Sequence, residues 1–331
     1  MQYDFDTVID RRASDSIKWH LYPEDVLPLW VADMDFAAPE PVLHALHERI
    51  QHGIFGYPSS GMNYPGEMGD LRQVLVERMQ TLYAWQITPE DIYFLPGVVT
   101  GLNQAAHALY MPNGGVLVQT PVYPPFLHMA ASAGMQQQTM QLTRLPDGQY
   151  AVDWEAFEAA FTPETRIFTL CNPHNPVGRV FRRDELTRMA EICLRKGVVI
   201  CSDEIHCDLL FSGQRHIPIA SLDPQVAQNT ITLLAPSKTF NIAGLQCSFA
   251  IIQNPELREK FRKGGQGLVP WVNLLGMTAA LAAYSEGQEW LDQLLVYLEG
   301  NRDYLAAYVA RELPGVEMAS PEGTYLAWLD C

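Results

Sequence analysis

No stretch of this sequence reaches about 18 consecutive apolar residues, the length a helix needs to cross a bilayer. The opening residues, MQYDFDTVIDRR, lack the basic-then-apolar order of a secretory leader, and a cytoplasmic setting is expected. No CxxC pair occurs among the six cysteines, Cys171, Cys193, Cys201, Cys207, Cys247 and Cys331. Most lie in apolar runs, which argues against a disulfide framework and for buried reduced thiols. Cys201, His206 and Cys207 match no common zinc spacing, so no metal site is expected. Positive charge is scarce: 22 Lys and Arg stand against 38 Asp and Glu, leaving −16. That charge repels phosphate backbones and anionic lipid, which disfavours nucleic acid and membranes as partners. Internal repeats and low-complexity tracts are absent, and no GxGxxG follows an early strand, which weighs against a dinucleotide-binding protein.

What is present is enough apolar material, 48% of 331 residues, for one large or two moderate domains. Short β-branched runs alternate with longer segments of helical periodicity, the pattern of βα units around a mostly parallel sheet. The runs predict strands at Ile92–Leu95, Val116–Gln119, Arg166–Cys171, Val198–Asp203, Thr230–Leu234 and Ser248–Ile252. Helices are predicted over Glu40–Gln51, Asp70–Tyr83 and Arg183–Lys196, the last stopping at Gly197, which tolerates the left-handed conformation found just past a helix. Between Trp290 and Leu313 the apolar spacing predicts one long helix leading into a second, smaller domain. PEGTYLAWLDC then reads as a strand after a turn, and a strand left at a chain end without neighbours points to an incomplete C-terminal domain.

Chemistry concentrates at the ends of the predicted strands. LAPSKTFNIAGLQ, Leu234 to Gln246, places Lys238 between a small-residue turn and a Gly-containing loop. Desolvation or a neighbouring cation converts such an ammonium into a nucleophilic amine, able to form a Schiff base with pyridoxal phosphate (PLP). The strand VVICSD ends on Asp203 and Glu204, where open α/β sheets bind ligands, and a carboxylate there suits a protonated pyridine nitrogen. After RIFTLC, the doubled Asn-Pro step of NPHNPVG forces an irregular turn and offers the Asn175 amide to a phenolate oxygen. In LPGVVTGL the backbone N–H groups of Val99 and Thr100 at a helix start form an anion site. In QTPVYPPF, Tyr123 is held between prolines with its ring free to stack. Taken singly, each piece also fits a plainer part: a solvated loop lysine, a helix cap, a common turn, a packed tyrosine.

In this order and spacing, the set resembles the fold-type I PLP-dependent enzymes of the aminotransferase class I/II superfamily. LPLWVADMDF (Leu27–Phe36), FGYP (Phe55–Pro58), DEIHCDL and APSKTFNIAGLQ are similar to its MalY/PatB branch of cystathionine β-lyases, or cysteine C–S lyases. The resemblance implies an α/β fold with a large PLP-binding domain, here 45–285, and an α+β small domain begun at 286–331. The N-terminal segment 1–44 packs with that small domain. It also implies that Lys238 forms the Schiff base and shuttles the α-proton, Asp203 pairs with the pyridinium, Asn175 bonds the O3′ oxygen and Tyr123 stacks on the ring. His206 stands where many aminotransferases carry a tyrosine. Tyr57 matches a tyrosine that reaches the partner subunit's phosphate, so a homodimer with shared active sites is implied.

Three departures from the family pattern stand out. Gln246 replaces a phosphate-binding arginine, Ala235 replaces a serine, and the arginine that binds the substrate carboxylate falls in a segment beyond residue 331. Ser237, Thr100 and backbone donors must then hold more of the phosphate. The expected activity is α,β-elimination on L-cystathionine or a related L-cysteine S-conjugate, giving thiol, pyruvate and ammonia, with Tyr123 assisting the leaving sulfur. A class I/II aminotransferase and a PLP-fold regulatory module that binds another protein are the competing readings.

Overall fold

The computed structural model of the chain describes residues 2–58 and 67–331. Its centre is a seven-stranded sheet built from β1 (Ile92–Leu95), β2 (Gly115–Thr120), β3 (Gln136–Gln141), β4 (Thr165–Cys171), β5 (Val199–Asp203), β6 (Thr230–Leu234) and β7 (Ser248–Ile251). The spatial order is β1-β7-β6-β5-β4-β2-β3. β7 runs antiparallel to both of its neighbours, and the remaining pairs are parallel. Strands buried on both faces read as continuous apolar runs, and TITLL and SFAI are buried throughout, as such a sheet requires.

Six of these strands follow the expected spans to within a residue at either end. β3, QQQTMQ, has no counterpart among the expected strands because it is polar at all but one position. It lies at the sheet edge, where only Met140 is buried. Its register is set by main-chain pairing with β2, and its rim by Gln138, which accepts from Thr165 Oγ1 at 2.7 Å and donates to Thr162 Oγ1 at 2.9 Å.

Helices cover both faces. The ones that matter here are α1 (Glu40–His52), α2 (Glu67–Tyr83), α3 (Val98–Ala108), α4 (Arg183–Lys196), α5 (Pro255–Gly264), α6 (Leu274–Glu286) and α7 (Gln288–Glu312). α3 lies against the sheet so closely that a Cβ on Gly101 would come within 2.8 Å of Leu233. α4 ends at Gly197 with φ +66, as its sequence requires. α7 packs Trp290, Leu291 and Leu294 into a core shared with Val42, Phe240 and Ala283, and the N-terminal Phe5 meets Trp290 and Tyr297 at ring distances of 5.7 and 5.5 Å.

The last residues depart from the expected strand. Leu329–Asp330 pairs with Glu317–Met318, and Gly323 makes a lone antiparallel bridge to Leu210. Residues 321–325 instead cross the large body: Glu322 N and Gly323 N donate to Gly178 O at 2.8 and 3.0 Å, and Thr324 N donates to Leu209 O at 2.7 Å. The left-handed φ of Thr324, +68, turns the chain out of a strand path there, and it carries Tyr325 toward the ends of the sheet strands. Among the described residues no helix is long and apolar enough to cross a membrane.

Candidate active site

Because β2, β4, β5 and β6 are parallel, the loops that follow them emerge at one edge. Register puts Cys171, Asp203 and Leu233 in one row across β4, β5 and β6. Lys238 follows four residues after β6 ends, in a turn closed by Phe240 N to Pro236 O at 2.9 Å and Ile242 N to Ser237 O at 3.1 Å. Asn241 takes φ +55 in that turn and donates its amide to Met34 O and Phe36 O, tying it to the N-terminal segment. The Lys238 ammonium donates to Ala32 O at 2.7 Å. Burial pulls its pKa below the ordinary lysine value, while Asp33 and Asp203 pull the other way.

Asp203, 5% exposed, ends β5 with Oδ1 accepting from Ile205 N at 3.0 Å. Burial raises its pKa to about 7, Glu204 adds to the rise, and the Ile205 hydrogen bond and Lys238 oppose it. No cation sits within ion-pair distance of this carboxylate among the described residues. The turn after β4 and the turn after β2 are laced together: Tyr123 N donates to Asn175 O at 3.1 Å, and His174 Nε2 lies 2.7 Å from Pro121 O. Since a carbonyl only accepts, that His174 nitrogen carries the proton. Desolvation and then Asp203 raise the pKa of the Tyr123 phenol, which stays protonated although the residue is 40% exposed.

At the same edge of the sheet, after β1, α3 begins behind Gly97, which supplies no side-chain cap, so the N–H groups of Val99 and Thr100 keep free hydrogen-bonding capacity. The Ser237 hydroxyl is half-buried beside Lys238. His206 is buried with Nδ1 unpartnered, and burial, then Lys238, lowers its pKa to about 3. The ring therefore stays neutral. Lys238, Asp203, Tyr123, Asn175 and His206 thus share one strand edge, linked by electrostatics and by the Tyr123–Asn175 bond. Tyr57 stands apart from them, 91% exposed with its ring 5.2 Å from Trp271.

Several neighbours of Lys238 carried no mark in the sequence. Tyr325 donates to Ala32 O at 3.1 Å, the same carbonyl that Lys238 uses, and meets the His206 ring at 6.0 Å. A backbone carbonyl leaves no residue-type signal, and Tyr325 was part of the supposed strand. Asp208, five residues past Asp203, accepts from Arg78 Nη2 at 2.6 Å and from Thr239 Oγ1 at 3.2 Å, bracing the residue that follows Lys238. DEIHCDL displayed that aspartate, but only the fold supplies Arg78 as its partner.

Comparison with known proteins gives consistent likenesses. The cystathionine β-lyase PatB of Bacillus subtilis is 44% identical, the alignment covering 99% of this chain and 84% of PatB. Among solved structures, cystalysin from Treponema denticola superposes with a TM-score of 0.93 at 33% identity, covering all of this chain and 84% of cystalysin. The PLP-bound C–S lyase from Staphylococcus hominis does so with a TM-score of 0.91 at 35% identity, covering all of this chain and 83% of that protein. The family model for aminotransferases of class I and II matches residues 24–331. With a lysine after β6, an aspartate at the end of β5 and a helix start after β1 set along one edge of the sheet, and with this match over nearly its whole length, the chain belongs to the class I and II aminotransferase family.

Proposed function

We propose that this protein is a PLP-dependent C–S lyase that cleaves L-cystathionine or a related L-cysteine S-conjugate with water into a thiol, pyruvate and ammonia. One observation carries the reading: a part-buried lysine in the loop after β6 in electrostatic contact with a buried carboxylate at the end of β5 that has no ion-pair partner among the described residues. Relatives and structural neighbours named as cystathionine β-lyases and C–S lyases supply the reaction class.

The residues fit PLP. A buried carboxylate raised to about pH 7 by desolvation is the partner a protonated pyridine nitrogen needs. Val99 N–H, Thr100 and Ser237 offer free donors for a phosphate at the start of α3, and Asn175 has an amide for the phenolate oxygen. His206 lines the same side, with Tyr123 placed to stack on the ring. When bound, PLP supplies an electron sink for the substrate α-carbon.

The protein groups do the rest. Lys238 Nζ would hold the cofactor at its aldehyde carbon and, once freed by the substrate amine, would accept the Cα proton as general base. Burial favours this, because it pulls the amine's pKa below the ordinary lysine value. The β-thiolate leaves with the C–S bonding pair. Tyr123, kept as a neutral phenol, donates the proton that the sulfur needs.

The exposed apolar group of Phe55, Tyr57, Leu268 and Trp271 supports a homodimer in which Tyr57 completes the partner's phosphate site. Five buried, unpaired cysteines support a cytoplasmic setting. We further propose a division of the chain into 1–44, 45–285 and 286–331. Its first boundary falls inside α1, so any hinge belongs at an end of that helix.

The test is catalytic release of pyruvate from L-cystathionine with PLP present and no keto-acid acceptor. Stoichiometric keto acid with conversion of the cofactor to its amine form would instead identify an aminotransferase.

A further inference from the structure

Beside the site lies a second buried carboxylate to which the reaction assigns nothing. Glu204 and its partner His216 are both fully buried. Its N–H donates to Leu233 O at 2.9 Å, so the main chain stays extended past Asp203 and side chains alternate. Ser202 and Glu204 therefore share the face of β5 opposite Cys201 and Asp203. On that face three donors converge: Ser202 Oγ reaches Glu204 Oε1 at 2.8 Å, Ile219 N reaches the same oxygen at 3.2 Å, and His216 Nε2 reaches Oε2 at 2.8 Å. His216 Nδ1 is buried without a partner, which the neutral tautomer protonated on Nε2 accommodates and an imidazolium does not. Glu204 thus has polar partners at both carboxyl oxygens, one residue from Asp203. Serine, histidine and a carboxylate invite comparison with a hydrolase triad, but Ser202 donates to Glu204 rather than to His216, and no substrate reaches a fully buried hydroxyl.

We propose that Glu204, fixed by Ser202, His216 and the Ile219 N–H, is the positioning residue that holds the end of β5 and strengthens Asp203's grip on the proton of the cofactor's ring nitrogen. The inference rests on the reading that the site takes PLP. Asp203 faces Lys238 from the loop after β6, Tyr123 from the loop after β2, Cys171 at the end of β4 and Cys201 on β5. Around Glu204 stand Cys207 and, beyond His216, the Tyr83 ring at 5.5 Å. Arg78, paired with Asp208 at 2.6 Å, lies beyond Cys207; of the groups facing Asp203, Lys238 alone is a cation, and it acts against the rise that Glu204 produces. A buried carboxylate beside another raises proton affinity at the pair, so its charge is felt at whichever atom of the Asp203–ring pair holds the proton.

The experiment is a pH titration, by nitrogen-15 NMR, of holoenzyme loaded with ring-labelled PLP. Glu204→Gln is expected to move the ring-nitrogen titration down by about one unit, a tenfold loss of proton affinity. His216→Gln, which retains an N–H donor, is expected to leave the titration near its original position while lowering stability. An unmoved titration in Glu204→Gln with the cofactor bound overturns the proposal and leaves the pair a structural clamp. Should Glu204→Gln fail to fold, Ser202→Ala carries the test: loss of one donor leaves the Glu204 charge less neutralised, so a small upward shift supports the proposal and no shift overturns it. If the unmodified chain does not take up PLP, the cofactor reading fails instead, and the two failures are told apart by the wild-type spectrum alone.

Discussion

On one face of the end of β5, Asp203 is buried with a single hydrogen bond to its carboxylate. On the other face Glu204, buried further still, receives three. The Arg78–Asp208 pair nearby resembles the second case: Asp208 has a guanidinium at 2.6 Å and a hydroxyl at 3.2 Å, and the Arg78 guanidinium lies over the Tyr284 ring at 4.9 Å. Burying a polar group costs free energy unless its partners are present, so the satisfied face is framework and the under-satisfied face is a site awaiting a ligand. Lys238, with one carbonyl acceptor, belongs with Asp203. Removing groups from the two faces should have opposite consequences: function falls on one, stability on the other.

The largest effect is expected at Lys238. Lys238→Ala removes the base and the covalent anchor together, and pyruvate release from L-cystathionine should fall by about 10⁴-fold or more. The visible absorbance band of the PLP-loaded protein should vanish with it. Because the lysine is desolvated, the apo variant should lose no stability, which denaturant unfolding checks. A strongly destabilised apo Lys238→Ala would move Lys238 to the framework side of the comparison.

The reverse pattern is expected for Asp208→Asn. The change leaves Arg78 buried and without its counter-charge, which costs about 3–5 kcal/mol in denaturant unfolding. Thr239 is held by the same aspartate, so the turn carrying Lys238 should loosen, with cofactor affinity falling as a consequence.

A pH series on the apo protein sharpens the contrast at Asp203. Its folded pKa, about 7, lies above the ordinary aspartate value of 3.8, so between these pH values the folded state binds more protons than the unfolded state. Stability contributed through this group is therefore present below about pH 4 and is lost as pH rises toward 7. Asp203→Asn should stabilise the apo protein at pH 8 by on the order of 2–4 kcal/mol and should do little at pH 4, while activity is lost. His206 works in the opposite sense, since its folded value of about 3 makes acid unfavourable to the fold. The difference between wild type and Asp203→Asn isolates the aspartate from that background.

Much of this site was legible because parallel strands end where their apolar runs end. IFTLC, VICSD and TITLL announce β4, β5 and β6, and whatever follows them must meet at one edge, which brings Asn175, Asp203 and Lys238 together before any coordinates exist. The features that stayed hidden are of two physical kinds. QQQTMQ forms a strand through main-chain pairing at an edge, where burial asks little of its side chains. His216, Arg78 and Tyr325 act through contacts spanning 12, 130 and 293 residues, set by packing rather than by any local pattern. The C-terminal run misled for a related reason: its alternation of large residues fits a strand, but the left-handed Thr324 and the acceptors at Gly178 and Leu209 redirect it across the sheet edge.

The smallest effect is expected at Tyr325, which touches both sides of the comparison. Its hydroxyl shares the Ala32 carbonyl with Lys238, while its ring covers His206. Tyr325→Phe keeps the ring and deletes one of two donors to that carbonyl, so the fold should lose only about 0.5–1.5 kcal/mol. The carbonyl then serves Lys238 alone, and the lysine's hold on Ala32 strengthens in the apo protein. PLP association, which must draw the amine away from that carbonyl, should slow by a few-fold in stopped-flow absorbance, with dissociation unchanged. Equal slowing of both steps would place Tyr325 with the framework, as packing for His206 and nothing more.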